Sequence, residues 1–338
     1  MNQLNHAFTL FLSLLVEAMP FLLLGVLFSS ALLLFIDENK LISILPRNPF
    51  LGALMGSCIG FLFPVCECGN VPVARRLLLQ GAPTSVAIGF LLAAPTINPI
   101  VIWSTWIAFR DQPEIVFLRV LFSLIIATTV GWVFSSQKDI KHLLQPSLLK
   151  SQIIPPSKVI EEDTPILLQS GTFLLGTSGG PIRMDNTFFM SNSAGVISNK
   201  KRPVDKLNLM LENTLQELKE LGAVLVMGSA IAAIIQVAAP REVILALGQG
   251  PITSIVAMMI LAGLVSICST VDSFFALSFA SSFTSGSLLS FLVFGPMIDI
   301  KGIGLMLSIF QTKAIIYIFA LAAQLTFFLT LIMNLYIS

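Results

Sequence analysis

Charged side chains are scarce in this chain: Asp, Glu, Lys and Arg make up 11% of its 338 residues, against 55% apolar. Soluble domains carry about 25% charge, so a soluble globular fold is excluded, and a mean hydropathy of +0.90 agrees. Histidine is scarcer still. His6 and His142 are the only two, both remote from the cysteines, and a closed zinc site of four N or S ligands cannot be assembled from them. Cys58, Cys66, Cys68 and Cys268 all lie in apolar surroundings, which argues against a secreted disulfide scaffold. A Walker-type phosphate loop is absent, so ATP hydrolysis by this chain is not expected. No basic leader precedes the opening apolar segment, 7–36, which is too long for a signal-peptide core and reads as a retained helix. The net charge of +1 says nothing about partners. No cofactor and no nucleic-acid partner are expected.

What the chain does have is long apolar runs, several exceeding the ~20 residues needed to cross about 30 Å of hydrocarbon. In the first half they fall at 7–36, 50–66, 71–95, 97–109 and 115–136. Gly81, Pro83, Pro95 and Pro99 interrupt the third and fourth, which read either as two half-helices or as one broken span. From Gln137 to Lys219 the chain turns polar and holds ten of the nineteen Lys and Arg. Basic residues near the membrane ends favour a cytoplasmic linker. Three regions follow: a first transmembrane repeat at 1–136, a polar cytoplasmic linker at 137–219 and a second transmembrane repeat at 220–338.

The second half echoes the first. Its apolar segments fall at 221–239, 251–268, 271–295, 302–312 and 314–337, and a shift of about 202 residues aligns Glu17 with Glu220, Gly25 with Gly228 and Cys66 with Cys268. FLLAAPTIN at 90–98 matches FLVFGPMID at 291–299, setting Asn98 against Asp299. The expected fold is therefore all-α and polytopic: two related helical repeats whose broken or re-entrant helices meet at the midplane. An odd number of crossings per half, five on this count, makes the repeats inverted; an even number would make them parallel.

The chemistry concentrates at the interruptions. Asn70, Asn98, Asp272 and Asp299 each precede an apolar run, where Asn and Asp make good N-caps, and Pro99 follows Asn98 at a position that tolerates a missing N–H. Pro95, Pro99 and Pro296 are the helix-breaking prolines. An acid at the centre of a membrane helix costs about 2.5–3.5 kcal/mol on insertion scales, so Asp272 and Asp299 are candidates for ligand binding or coupling. Lys301 or Lys313 could neutralise one of them, which would make that acid structural. Glu17 and Glu220 occupy equivalent places in the first helix of each copy and are coupling candidates, although Glu220 lies close to the linker. Cys66, Glu67 and Cys68 form a C-x-C with an internal carboxylate, suited to a soft metal or metalloid because thiolates prefer thiophilic ions. Cys268, the repeat mate of Cys66, adds a third sulfur. The bland alternatives stay open: buried cysteine is a small apolar residue, the Asn and Asp residues are simple caps, and Arg75 and Arg76 are surface anchors.

The string PVCECGNVPVARRLLLQGAPTSVAIGFLLAAPTINPIVI, with the later GPMIDIKGIGLML, resembles the family of predicted bacterial permeases that includes the ArsP organoarsenical efflux permeases and the YraQ- and YcgR-like proteins. The resemblance covers both apolar halves, 7–136 and 220–337. It implies multi-pass transport in the plasma membrane; ArsP members export trivalent organoarsenicals, for which thiols near the path form a ligand set. Carried onto this chain, the pattern points to Cys66, Cys68, Asn70, Pro95, Asn98, Pro99, Pro296 and Asp299. YcgR-like members are thought to work with a second membrane protein, which implies a partner subunit. The function expected is a secondary transporter of a soft metal(loid) species or metal ion. Two alternatives stay open, a membrane thiol oxidoreductase using Cys66 and Cys68, and a non-transporting membrane subunit of a complex.

Overall fold

The computed structural model describes residues 2–35, 45–46, 48–62, 67–135, 173–175, 181–183, 203–238, 250–280 and 282–336. The first half consists of α1 (Asn2–Phe35), α2 (Pro49–Leu62), α3 (Glu67–Leu79), α4 (Thr84–Ile97), α5 (Pro99–Ala108) and α6 (Pro113–Ser135). The second consists of α7 (Pro203–Ala238), α8 (Pro251–Val265), α9 (Asp272–Leu277), α10 (Ser285–Met297), α11 (Ile300–Met306) and α12 (Thr312–Tyr336). Between them, β1 (Phe173–Leu175) and β2 (Pro181–Arg183) pair antiparallel. The body of the protein is thus all-α, and the rest of the expected linker up to Arg202 lies outside the described residues. Helix α7 begins at Pro203, within the stretch read as linker.

Proline sets many of these boundaries. Helices α2, α5, α6, α7 and α8 all begin on one, where the fixed φ is preorganised and the absent N–H has no partner to lose. Glycine ends α3. Gly81 has φ +83°, Gly81 N–H donates to Leu78 C=O and Ala82 N–H to Leu77 C=O, the pairing of a Schellman stop. The apolar run read as a single segment at 71–95 is therefore split into α3 and α4.

Among the described residues, six helical stretches are long and apolar enough to cross a membrane: Asn5–Ser30, Thr84–Ala108, Pro113–Ser135, Thr214–Ile235, Ser285–Met306 and Thr312–Tyr336. Two of them are broken. In Thr84–Ala108 the break is Asn98, with Pro95 before it and Pro99 after it; in Ser285–Met306 it falls at Ile298 and Asp299, just beyond Pro296. The short helices α3 and α9 lie among these spans, and ten of the thirteen residues of α3 are buried.

Small residues let the helices approach. A Cβ on Gly25 would run into the Gly69 backbone, fixing α1 hard against α3, and one on Gly56 would strike the Val86 backbone in α4. Such contacts supply packing where lipid tails offer no competing hydrophobic drive. Helices α1 and α7 run antiparallel. Near the end of α1, Ser29 donates to Glu217 at 2.9 Å, and Thr214 to Ser30 at 2.9 Å, while Leu14, earlier in α1, packs with Ala232 and Ala233, later in α7. Across the halves α5 packs on α9, α11 on α3 and α4 on α10.

The α5–α9 contact holds a buried ion pair. Arg119 of α6, 1% exposed, donates to both oxygens of Asp272 at 3.1 and 2.6 Å, and also to Thr105 at 2.8 Å and Ser273 at 2.9 Å. Removing one member of such a pair leaves an uncompensated buried charge, at a cost of about 3–5 kcal/mol. Arg119→Met should therefore lower the detergent melting transition sharply, and Arg119→Met/Asp272→Asn should recover most of the loss. Gly25→Ala should cost about 1–3 kcal/mol by overpacking, read in the same melting assay.

Candidate functional site

The α3–α11 crossing brings a second set of charges together, again one element from each half. Helix α3 begins at Glu67, so Glu67 and Asn70, three residues apart, share a face. Helix α11 is capped by Asp299, whose Oδ1 accepts from Gly302 N–H at 2.6 Å, and Lys301 lies in its first turn. Lys301 Nζ stands 3.7 Å from Glu67 Oε1 and 3.9 Å from Asp299 Oδ2. All four side chains are closed off from solvent: Glu67 is 7% exposed, Asn70 0%, Asp299 3% and Lys301 2%. The thiols of Cys68 and Cys268 lie within electrostatic reach of both Glu67 and Lys301.

The chain opens locally to allow this. After α8, Ser266 adopts the left-handed conformation, φ +47°, a region non-glycine residues visit rarely and at a cost that clusters at functional positions. Its Oγ accepts from Ile300 N–H at 3.2 Å, tying the unwound segment to the start of α11. From there residues 266–271 carry Cys268 to the charges at Glu67 and then Asp272 to Arg119. One irregular segment thus joins the two clusters.

The clusters differ in quality. In the Arg119 cluster the guanidinium and carboxylate meet in a two-pronged contact, and Ser273 donates to the same carboxylate at 3.1 Å. At Lys301 both ion pairs exceed the 2.7–3.2 Å of a hydrogen bond. Glu67 Oε2, Asp299 Oδ2 and both amide atoms of Asn70 are buried without a hydrogen-bond partner, as is Ser269 Oγ. A buried polar group left unpaired costs about 1–3 kcal/mol, and a charged one more, so this cluster stores interactions that a ligand can complete.

The residues singled out from the sequence distribute as follows. Glu67, Cys68, Asn70, Cys268 and Asp299 fall at or beside the α3–α11 crossing, whereas Asp272 belongs to the Arg119 cluster. Asn98 caps α5, accepting from Ile100 N–H at 2.9 Å. Capping by Asn70 and Asp272 is corrected. Helix α3 starts three residues ahead of Asn70, and the N-cap of α9 is Val271, with Asp272 its first helical residue. Glu220 is half exposed and pairs with Arg75 at 3.1 Å, and Glu17 is partly buried on α1. Cys66 lies outside the described residues. Cys58, Cys68 and Cys268 are not in disulfides, and among the described residues no three His, Cys, Asp or Glu converge as a metal site. Sequence reasoning missed Arg119 and Glu217. A lone Arg within a largely apolar 23-residue helix whose other charge, Glu114, lies in the first turn was the available signal for the first.

Comparison with known proteins agrees with this architecture. The chain is 36% identical over 311 residues to "UPF0718 protein YcgR" of Bacillus subtilis, covering 92% of this chain and 90% of that protein. It is 31% identical over 307 residues to a "Putative two-component membrane permease complex subunit" of Streptococcus mutans, covering 91% and 88%. No solved structure matches. The family described as "Predicted permease" (ArsP_1) matches residues 3–335. With six apolar spans among its described residues, this multi-pass protein of the plasma membrane belongs to the ArsP_1 predicted permease family.

Proposed function

We propose that the chain is a secondary permease that carries a soft metal or metalloid species through the α3–α11 crossing rather than an enzyme acting on one. The observation that carries this reading is the buried, incompletely satisfied set Glu67, Asn70, Asp299 and Lys301, drawn from two broken regions and flanked by the Cys68 and Cys268 thiols. Ionisable residues at membrane depth mark substrate and ion pathways, and thiolates select soft ions. Solvent is shut out of the site, as an occluded intermediate requires.

We also propose that the two halves are inverted repeats. The register that aligns Glu17 with Glu220 and Gly25 with Gly228 carries Leu14 onto Glu217 and Ser29 onto Ala232. The contacts Ser29–Glu217 and Leu14–Ala232 are therefore exchanged by swapping the halves, as a two-fold axis in the membrane plane would do. The crossings α5–α9 and α11–α3 exchange in the same way. A second reading, that this chain works with another membrane subunit, is favoured by the name of the streptococcal relative.

In proteoliposomes the protein should move Cd²⁺ or a trivalent arsenical down an imposed gradient. Cys68→Ser/Cys268→Ser should lower that flux by about tenfold or more, the factor equivalent to ~1.4 kcal/mol, with Cys66→Ser assayed beside it. Flux that survives these changes removes the thiols from the mechanism, and no flux of either species removes the soft-ion reading. For the inverted arrangement, Asn5→Cys and Glu212→Cys in a Cys58→Ser background should label with an impermeant maleimide from opposite sides of the membrane. Labelling from one side would make the repeats parallel.

A further inference from the structure

The α3–α11 crossing already contains a cation, and it belongs to the protein. Lys301 Nζ sits between two carboxylates at 3.7 and 3.9 Å, in contact range yet hydrogen-bonded to neither by distance. Its charge balances one of them. The two carboxylates offer oxygens that a metal ion would use, Glu67 Oε2 and Asp299 Oδ2, and Asn70 Oδ1 lies one helical turn on from Glu67; each is buried and without a hydrogen bond. Two thiols are within electrostatic reach. A lysine ammonium is a compact charge on a flexible four-carbon stem, able to leave such a place without unfolding the helix that bears it.

We propose that the Lys301 ammonium is a tethered stand-in for the transported ion: a soft divalent cation enters between Glu67 and Asp299 and displaces it, and the lysine returns when the ion leaves. This rests on the permease reading and names its substrate class. The carboxylates, the Asn70 carbonyl and a thiol of Cys68 or Cys268 take the ion, and a thiol that joins as thiolate releases its proton to water. No other bond is made or broken. With Lys301 in place, no three His, Cys, Asp or Glu converge as a metal site among the described residues, so the proposal requires the ligands to close on the ion once the ammonium has left.

The consequence is kinetic. An empty site with two bare buried carboxylates is too costly to reorient across the membrane. With Lys301 inserted, one of the two charges is balanced and the empty carrier returns at a lower cost, so net transport becomes available. Without it, only the ion-loaded form crosses, and the protein is confined to exchanging one ion for another. Lys301 also competes with the ion for its ligands, and removing such a competing state raises apparent affinity.

The test uses Cd²⁺ with the full-length chain. Lys301→Met should bind Cd²⁺ about tenfold more tightly or better in detergent. In proteoliposomes it should lose net Cd²⁺ flux while keeping ¹⁰⁹Cd²⁺–Cd²⁺ exchange. Glu67→Gln/Lys301→Met, which removes one charge of each sign, should fold and lose the tight binding; it keeps the binding arm readable if the single variant is unstable. Wild-type Cd²⁺ flux with undiminished net flux in Lys301→Met overturns the inference. Unchanged or weaker binding in a folded Lys301→Met does the same, as does Cd²⁺ binding by the double variant as tight as that of the single one. If wild type moves no Cd²⁺ but Lys301→Met gains tight, Glu67-dependent binding, the transport reading falls and the displaced-lysine site stands.

Discussion

The meeting of Glu67, Asp299 and Lys301 across the two halves is the constraint around which the rest of the protein is arranged. Burying an isolated charge in hydrocarbon costs several kcal/mol even after relaxation, so these three can exist at depth only if brought together. Bringing them together is a backbone problem. Helix α11 has to start at membrane depth, and that start is provided by Asp299 as cap and Ser266 as acceptor for Ile300 N–H. Helix α3 has to be pressed inward, and the Gly25–Gly69 approach does this at the other side of the crossing.

The two buried charge clusters show what separates a fastener from a site. Arg119 and Asp272 are matched one to one, at hydrogen-bond distance, with Thr105 and Ser273 sharing the donors and acceptors. Of the Arg119 and Asp272 side-chain atoms only Arg119 Nε is left buried without a partner. At Lys301 one cation faces two carboxylates, the distances are about an ångström longer, and an asparagine amide has no partner on either atom. One cluster fastens the halves together, while the other keeps unused binding capacity.

Much of this was legible in the sequence, for identifiable reasons. The spans follow from hydrophobic length, and the breaks at Asn98 and Asp299 from the Pro and cap residues on either side, because these signals are local. Less legible was which polar residue faces which. Asn70 looked like a cap because the start of α3 at Glu67 is masked by the apolar, proline-containing run that follows, and only the fold shows that its amide lies on the Glu67 face. Arg119 escaped because its partner, Asp272, is 153 positions away; no period or motif reports a pairing of that range. The long separation between Lys301 and Glu67 has the same effect, although Lys301 was visible as a neutraliser of the neighbouring acid.

Helices α1 and α7 form an antiparallel pair, and α1 lies on α3 and α7 on α11, both at the Glu67–Lys301 crossing. Their symmetric counterparts would be α7 on α9 and α1 on α5, at the Arg119–Asp272 crossing. If the halves are inverted copies, a second packing with those contacts is built from the same kinds of surface and differs little in energy, since each helix exchanges one small-residue interface for another. On that condition, movement of the α1–α7 pair from one crossing to the other would uncover in one state what it covers in the next. A site that is sealed here, with its polar atoms unspent, is the arrangement such a motion needs: closed by helices that have somewhere else to pack, and held shut by a lysine that an arriving ion can replace.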